Sequence, residues 1–216
     1  MLTTALFQQI HDSIADGDWC TTDKALTLAS IVIATRPKVV VEIGVWTGAS
    51  LIPMALAAKS LGSWIDCMTQ RSSRCKVVAI DPWDPAASVE GQIEVNAKWW
   101  GSAPHEWALG ELVQKLERYE LKEIVEIVRM RSDVAPPPAN IGLLHVDGNH
   151  GDQAVADVMR FAPNVRGGGI VVLDDFNWDG GAVKRAGQTL EDIGFRALYE
   201  IDQKSFAHVY QRGGMR

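Results

Sequence analysis

Val39-Val40-Val41-Glu42-Ile43-Gly44-Val45-Trp46-Thr47-Gly48-Ala49-Ser50 decides the fold of this 216-residue chain. Its first five residues are a short β-branched run of the kind buried inside a parallel sheet. Gly44 and Gly48 let the backbone turn tightly and approach a ligand closely. An apolar helix follows from about Leu51 to Leu61, with Pro53 in its first turn, where a missing N–H costs nothing. Strand, glycine turn and helix together open a βαβ unit. The glycine spacing is GxxxG, not the GxGxxG of dinucleotide binders. Glu42 would repel a pyrophosphate but suits a cationic or amine-bearing ligand.

Reading outward, the same alternation continues. Upstream, Leu6, Phe7, Ile10 and Ile14 make a helical stripe, and a second helix runs from Thr22 to Thr35 before Arg36-Pro37 ends it. Downstream, strands are expected at Lys76–Ile80, Ile124–Arg129, Ile141–Val146 and Ile170–Leu173. Helices are expected at His105–Tyr119, Asp152–Phe161 and Val183–Ile193. The strands Phe195–Glu200 and Phe206–Tyr210 close the chain as a hairpin around Asp202-Gln203-Lys204. The pattern predicts one α/β domain over 1–216. Its core is a doubly wound, Rossmann-like, seven-stranded sheet, mostly parallel with a C-terminal antiparallel hairpin. Residues 1–36 form N-terminal helices. Residues 82–104 show no clear period, and 82–107 read as a substrate or lid segment.

Composition mostly excludes. A net charge of −6 offers no basic field for nucleic acid or anionic lipid. No apolar run is long enough to span a membrane, and Met1–Asp18 lacks the charge-then-apolar pattern of a signal peptide. Cys20, Cys67 and Cys75 read as reduced thiols of a cytoplasmic protein, with a Cys67–Cys75 loop disulfide as the alternative. The eight Trp outnumber five Phe and three Tyr. Six of them, Trp46, Trp83, Trp99, Trp100, Trp107 and Trp178, fall near the strand ends or in the aperiodic segment. They either cover the sheet ends or line an aromatic cleft.

In open α/β sheets, ligands bind beyond the carboxyl ends of the strands. There the chain places Glu42, Asp81, Asp133, Asp147 and the pair Asp174-Asp175. Asp81 is positioned to accept hydrogen bonds from ribose hydroxyls, although a turn role before Pro82 competes. Asp147, Asp174 and Asp175 end neighbouring strands, and like charges that close call for a cation. Oxygen ligands in that number suit Mg²⁺ or another divalent cation; alternatively Asp175 caps the next segment. His150, three residues past Asp147, is a candidate general base.

These motifs resemble class I S-adenosylmethionine-dependent O-methyltransferases. The likeness is to the small metal-dependent branch of catechol, caffeoyl-CoA and macrocin-type enzymes. Val41–Gly44 with Gly48–Ser50 is similar to the first motif, and Ala79-Ile80-Asp81 to the second. Leu144–His150 with Gly167–Gly169 and Asp174-Asp175 is similar to the metal-binding half. The resemblance implies that Glu42, Gly44, Trp46, Gly48 and Ser50 surround the methionine and ribose of S-adenosylmethionine. It implies further that Asp81 takes the ribose, with Trp83 beside it, and that Ser132 and Asp133 border the adenine. Asp147, Asp174 and Asp175 would bind Mg²⁺, and His150 or Asp147 would deprotonate the acceptor. Asn149 departs from the Asp common at its position, and Asp175 from the Asn common in the catechol branch. The implied reaction is Mg²⁺-dependent methylation of a small hydroxylated acceptor that is catechol-, sugar- or polyketide-like. A homo-oligomer is compatible with it. The competing readings are a metal-dependent hydroxylase on the same fold and a non-catalytic cofactor-binding module.

Overall fold

The computed structural model describes residues 3–14, 19–62, 64–65, 72–92, 94–178, 180–201 and 206–214, with 64, 65 and 72 through their backbone only. Cys67 and the hairpin loop Asp202-Gln203-Lys204 lie outside these residues. Two N-terminal helices, α1 (Thr4–Ser13) and α2 (Thr22–Thr35), begin at threonine caps. The Thr3 hydroxyl accepts from the Leu6 N–H and the Thr21 hydroxyl from the Lys24 N–H, each at 3.2 Å. Then come β1 (Val39–Ile43) and α3 (Leu51–Leu61), as the glycine turn requires.

Two elements depart from expectation. The polar stretch Gly62–Arg74 has the composition of a loop, yet it carries a small antiparallel ribbon, β2 (Trp64–Ile65) with β3 (Ser72–Ser73). After β4 (Lys76–Ile80), the aperiodic segment folds into α4 (Pro85–Val89) and α5 (Glu94–Ser102), ahead of α6 (His105–Arg118). Neither α4 nor α5 buries a residue, so neither carries the apolar stripe by which a helix is recognised. The rest follows as β5 (Val125–Val128), β6 (Ile141–Val146), α7 (Asp152–Phe161), β7 (Val165–Leu173), α8 (Ala182–Asp192), β8 (Phe195–Ile201) and β9 (Ala207–Arg212). Strand β7 starts five residues earlier than Ile170. It takes in the glycine triplet, which bulges against β6 between the partners Ile141–Val165 and Leu143–Ile170.

The seven-stranded sheet has the order β5-β4-β1-β6-β7-β9-β8. The first five run parallel, and β9 pairs antiparallel with both β7 and β8. Successive residues of each strand feed opposite faces. Val40 and Val77 join the core under α1, α2, α3 and α6, whereas Val41 and Val78 join the core under α7 and α8. The strand order reverses between β1 and β6, and there the carboxyl ends open a crevice. No helix among the described residues is long and apolar enough to cross a membrane.

Candidate active site

The crevice is a cavity of about 1150 Å³ at the carboxyl ends of the parallel strands. That exceeds the usual 300–1,000 Å³ or so of a single small-molecule site, leaving room for two ligands side by side.

The turn after β1 forms its floor. Gly44 has φ +81°, and a Cβ there would collide with the carbonyl oxygen of Asp147. The loops after β1 and β6 can therefore touch only through glycine. Asp81, at the end of β4, holds this turn in place. Its Oδ2 accepts from the backbone N–H of Val45 (2.9 Å) and of Trp46 (3.0 Å), and its Oδ1 from that of Trp83 (2.7 Å). Trp46, Trp83 and Asp175 all have positive φ without being glycine, the kind of local strain that collects at binding sites.

Gly44, Trp46, Ser50, Asp81, Ser132, Asp133, Asp147, His150, Asp174 and Asp175 all line the cavity. Glu42, Gly48 and Trp83 do not. Glu42 is fully buried behind the turn, where it accepts from the Ser50 hydroxyl and pairs with His145 Nδ1 at 2.7 Å. Gly48 packs on Leu112. Trp83 is buried, and its indole N–H donates to the Trp46 carbonyl at 2.9 Å. Its part is to brace the turn from behind. Asp133 is held by Arg131 at 2.9–3.0 Å, which keeps its carboxyl below the usual carboxylate range. Arg131 also pairs with Glu90 of the segment after α4. Asn149 donates to the Glu90 carbonyl at 2.7 Å and accepts from the Gly151 N–H at 2.8 Å, so it ties the β6 loop to that segment.

Two residues outside the expected set change the chemistry. Lys24 of α2 is 2% exposed and lines the cavity. Its Nζ pairs with Asp174 Oδ2, donates to the Trp19 carbonyl at 3.3 Å, and stands 3.8 Å from Asp147 Oδ2. His145 of β6, fully buried, places Nε2 4.0 Å from Asp174 Oδ2. A buried polar line thus runs Ser50–Glu42–His145–Asp174–Lys24 beneath the strand ends. Burial works to raise the Asp174 carboxyl, but Lys24 and His145 outweigh it and hold it below the usual range. Asp147 is pushed well above that range by burial and by the Asp174 charge, against Lys24. Burial works to lower the Lys24 pKa, yet Asp147 and Asp174 hold it above its ordinary value. Glu42 Oε2, His145 Nε2 and Asp174 Oδ1 are buried without a hydrogen-bond partner. A signal for Lys24 does exist in the sequence. It sits one turn before Leu28 on the stripe Ala25, Leu28, Ala29, Val32 that α2 buries.

Asp147, Asp174 and Asp175 do not fit a divalent ion as one set, because an ammonium already holds Asp174 and approaches Asp147. The ligand atoms that do cluster within 4.8 Å are those of Asp147, His150 and Asp175, and separately those of Glu42, His145 and Asp147. In the first cluster His150 Nε2 is 2.9 Å from Asp175 Oδ2, and the imidazole leans on Trp178 with ring centroids 4.9 Å apart. An aromatic wall stands across the cavity. Trp19 stacks on Trp46 at 6.2 Å, and Trp99 and Trp100 meet edge to face at 4.7 Å. Cys20, beside Lys24, and Cys75 are free, buried thiols; burial pushes Cys75 up to about 12 and Cys20 higher.

The comparisons with known proteins agree with this architecture. No curated protein sequence matches the chain. The O-methyltransferase NovP superposes with a TM-score of 0.65 at 20% identity, over 89% of this chain and 80% of NovP. PaMTH1 from Podospora anserina, a methyltransferase solved with S-adenosylhomocysteine bound, gives 0.64 at 13% identity over 99% and 89%. TomG from Streptomyces achromogenes, an O-methyltransferase involved in tomaymycin synthesis and solved with S-adenosylmethionine, gives 0.59 at 15% identity over 100% and 92%. At these identities the likeness concerns the fold. The family described as a methyltransferase domain matches residues 41–176, from the first strand through both acidic strand ends, and the chain belongs to that family.

Proposed function

We propose that the protein transfers a methyl group from S-adenosylmethionine to a hydroxyl of a small molecule. The observation that carries this reading is the single cavity uniting the glycine turn and Asp81 with the His150–Asp175 pair. Trp46, Ser50, Ser132 and Asp133 line the cofactor half, with Glu42, Gly48 and Trp83 supporting it from behind. Asp81 spends three of its lone pairs on the turn and keeps one, on Oδ1, for a ribose hydroxyl. The aromatic wall suits a flat or sugar-like acceptor, such as a catechol, a sugar or a polyketide.

The sulfonium methyl is already activated, so the protein's work is to hold an oxygen in line with it and to take the hydroxyl proton. His150 is the residue for the second task. The imidazole takes the proton, and the Asp175 carboxylate, 2.9 Å from Nε2, stabilises the imidazolium that forms. Asp147, largely buried and pushed towards its neutral form, is better suited to orienting the acceptor than to taking its proton. Lys24 on Asp174 leaves the expected three-carboxylate Mg²⁺ set incomplete, so no step is assigned to a divalent ion.

The test is calorimetric titration with S-adenosylmethionine, followed by transfer of labelled methyl to a panel of catechols, sugars and hydroxylated polyketides. Binding of one cofactor per chain and label in an alkali-stable ether support the proposal. Binding without transfer to any hydroxyl, or transfer to nitrogen or carbon, rejects O-methylation. Absence of binding rejects the whole reading.

A further inference from the structure

We propose that Lys24 is the built-in cation of this centre. Its ammonium stands where the family resemblance calls for a divalent ion, between Asp147 and Asp174, and the site works with no bound metal. The inference rests on the methyl-transfer reading for the purpose of the site, but its test does not.

The argument begins with charge. Asp147 and Asp174 end adjacent parallel strands, and the Asp174 backbone N–H donates to Val146, immediately before Asp147, at 3.0 Å. Two carboxylates fixed this close need a positive partner. Mg²⁺ would meet that need with an octahedron of oxygens about 2.1 Å away. Here α2 delivers a lysine instead, through a buried four-carbon stem that ends on Asp174. The lysine is held firmly. Its own backbone N–H is tied to the Thr21 cap, its Nζ to the Trp19 carbonyl, and the helix around it packs Ala25, Leu28 and Val32 into the core.

An ion ligated by Asp147 Oδ2 would lie within about 6 Å of this ammonium, two cations in one largely buried pocket. Lys24 also does something that a buried structural pair need not do: it is one of the residues that line the cavity. Among the described residues its hydrogen bonds go to Asp174 and Trp19, and an ammonium has three N–H donors. The third is available to an oxygen entering from the cavity. That is the service a metal would give an acceptor hydroxyl, a fixed positive charge beside the oxygen as its proton leaves.

The test is metal binding by the full chain. Protein stripped with EDTA and dialysed is titrated with Mn²⁺, and free ion is read from its electron paramagnetic resonance signal. Wild type and the Lys24→Ala and Lys24→Gln variants are compared, with circular dichroism to confirm folding. Wild type should show no stoichiometric Mn²⁺. At least one variant, with Asp147 and Asp174 released, should bind a single ion at least about ten-fold more tightly than wild type. Methyl transfer by wild type should also be unchanged by EDTA. A stoichiometric Mn²⁺ site in wild type, as a centre built on Asp147, His150 and Asp175 would give, overturns the proposal. So does failure of every folded variant to gain affinity. If neither variant folds, the wild-type titration decides alone. Failure of S-adenosylmethionine binding would reject the methyl-transfer reading and leave the Mn²⁺ result standing.

Discussion

Lys24 and Asp174, 150 residues apart in sequence, form an ion pair in which each side chain is only 2% exposed. It joins helix α2 to the end of strand β7 and sets the electrostatics of the cavity floor. Breaking a buried pair from one side is far more damaging than replacing both partners, because it strands a charge.

Lys24→Met should therefore destabilise the protein by about 3–5 kcal/mol at pH 7. In wild type, Asp174 is held below its unfolded value, so its contribution is present above about pH 4 and is lost as the pH falls through the lowered value. In the variant the ammonium is gone and burial dominates, which raises the Asp174 pKa. The variant should then regain stability as the pH falls from 7 towards 5, a range over which the Asp174 contribution in wild type is flat. Urea unfolding at stepped pH reads this directly, and parallel curves for the two proteins would contradict it.

Gly44→Ala meets both a left-handed backbone and the Asp147 carbonyl, whereas Gly62→Ala has the same sign of φ with nothing within 4 Å. Gly62→Ala should cost about 1–3 kcal/mol of backbone strain alone. Gly44→Ala should cost clearly more and abolish cofactor binding, since the turn or the β6 loop must move. Thermal unfolding and calorimetry of the two variants make the comparison; equal losses would show that the close approach is unimportant.

His150→Ala should lower the rate of transfer by about 10²–10⁴-fold without changing the affinity for S-adenosylmethionine, as expected for loss of a general base. Asp175→Asn should lower it less, because the imidazole remains. Single-turnover kinetics separate the two effects. Transfer at the wild-type rate in His150→Ala would assign the proton to another group.

Trp99→Ala removes one face of the aromatic wall, which Trp19, Trp46 and Trp100 otherwise share. The KM for the acceptor should rise about 2- to 10-fold, the scale of one aromatic contact, with cofactor affinity held. A change confined to cofactor affinity would move the wall to the other half of the cavity.

The sheet was legible because the β-branched runs Val39–Val41 and Ile170–Val172 are short and bounded by turn residues, as strands buried on both faces are. Each strand end carried a carboxylate that marked the crevice. Lys24 was not legible as a functional group. Its place on the stripe of α2 marks it as buried, but nothing local marks its role, and its partner lies 150 residues away. The resemblance puts Glu42 and Trp83 at the cofactor, but neither lines the cavity: they turn to His145 and to the Trp46 carbonyl. Helix α5 escaped because its tryptophans Trp99 and Trp100 pack on other tryptophans across the cavity rather than on the core, so no apolar period appears.

The central claim, that this cavity is a methyl-transfer centre, is tested most directly by titrating S-adenosylhomocysteine into the EDTA-treated protein while following tryptophan fluorescence and heat together. The account predicts one site per chain, a fluorescence change from Trp46 and its neighbours, and the same affinity with or without Mg²⁺. No binding at millimolar ligand would contradict it.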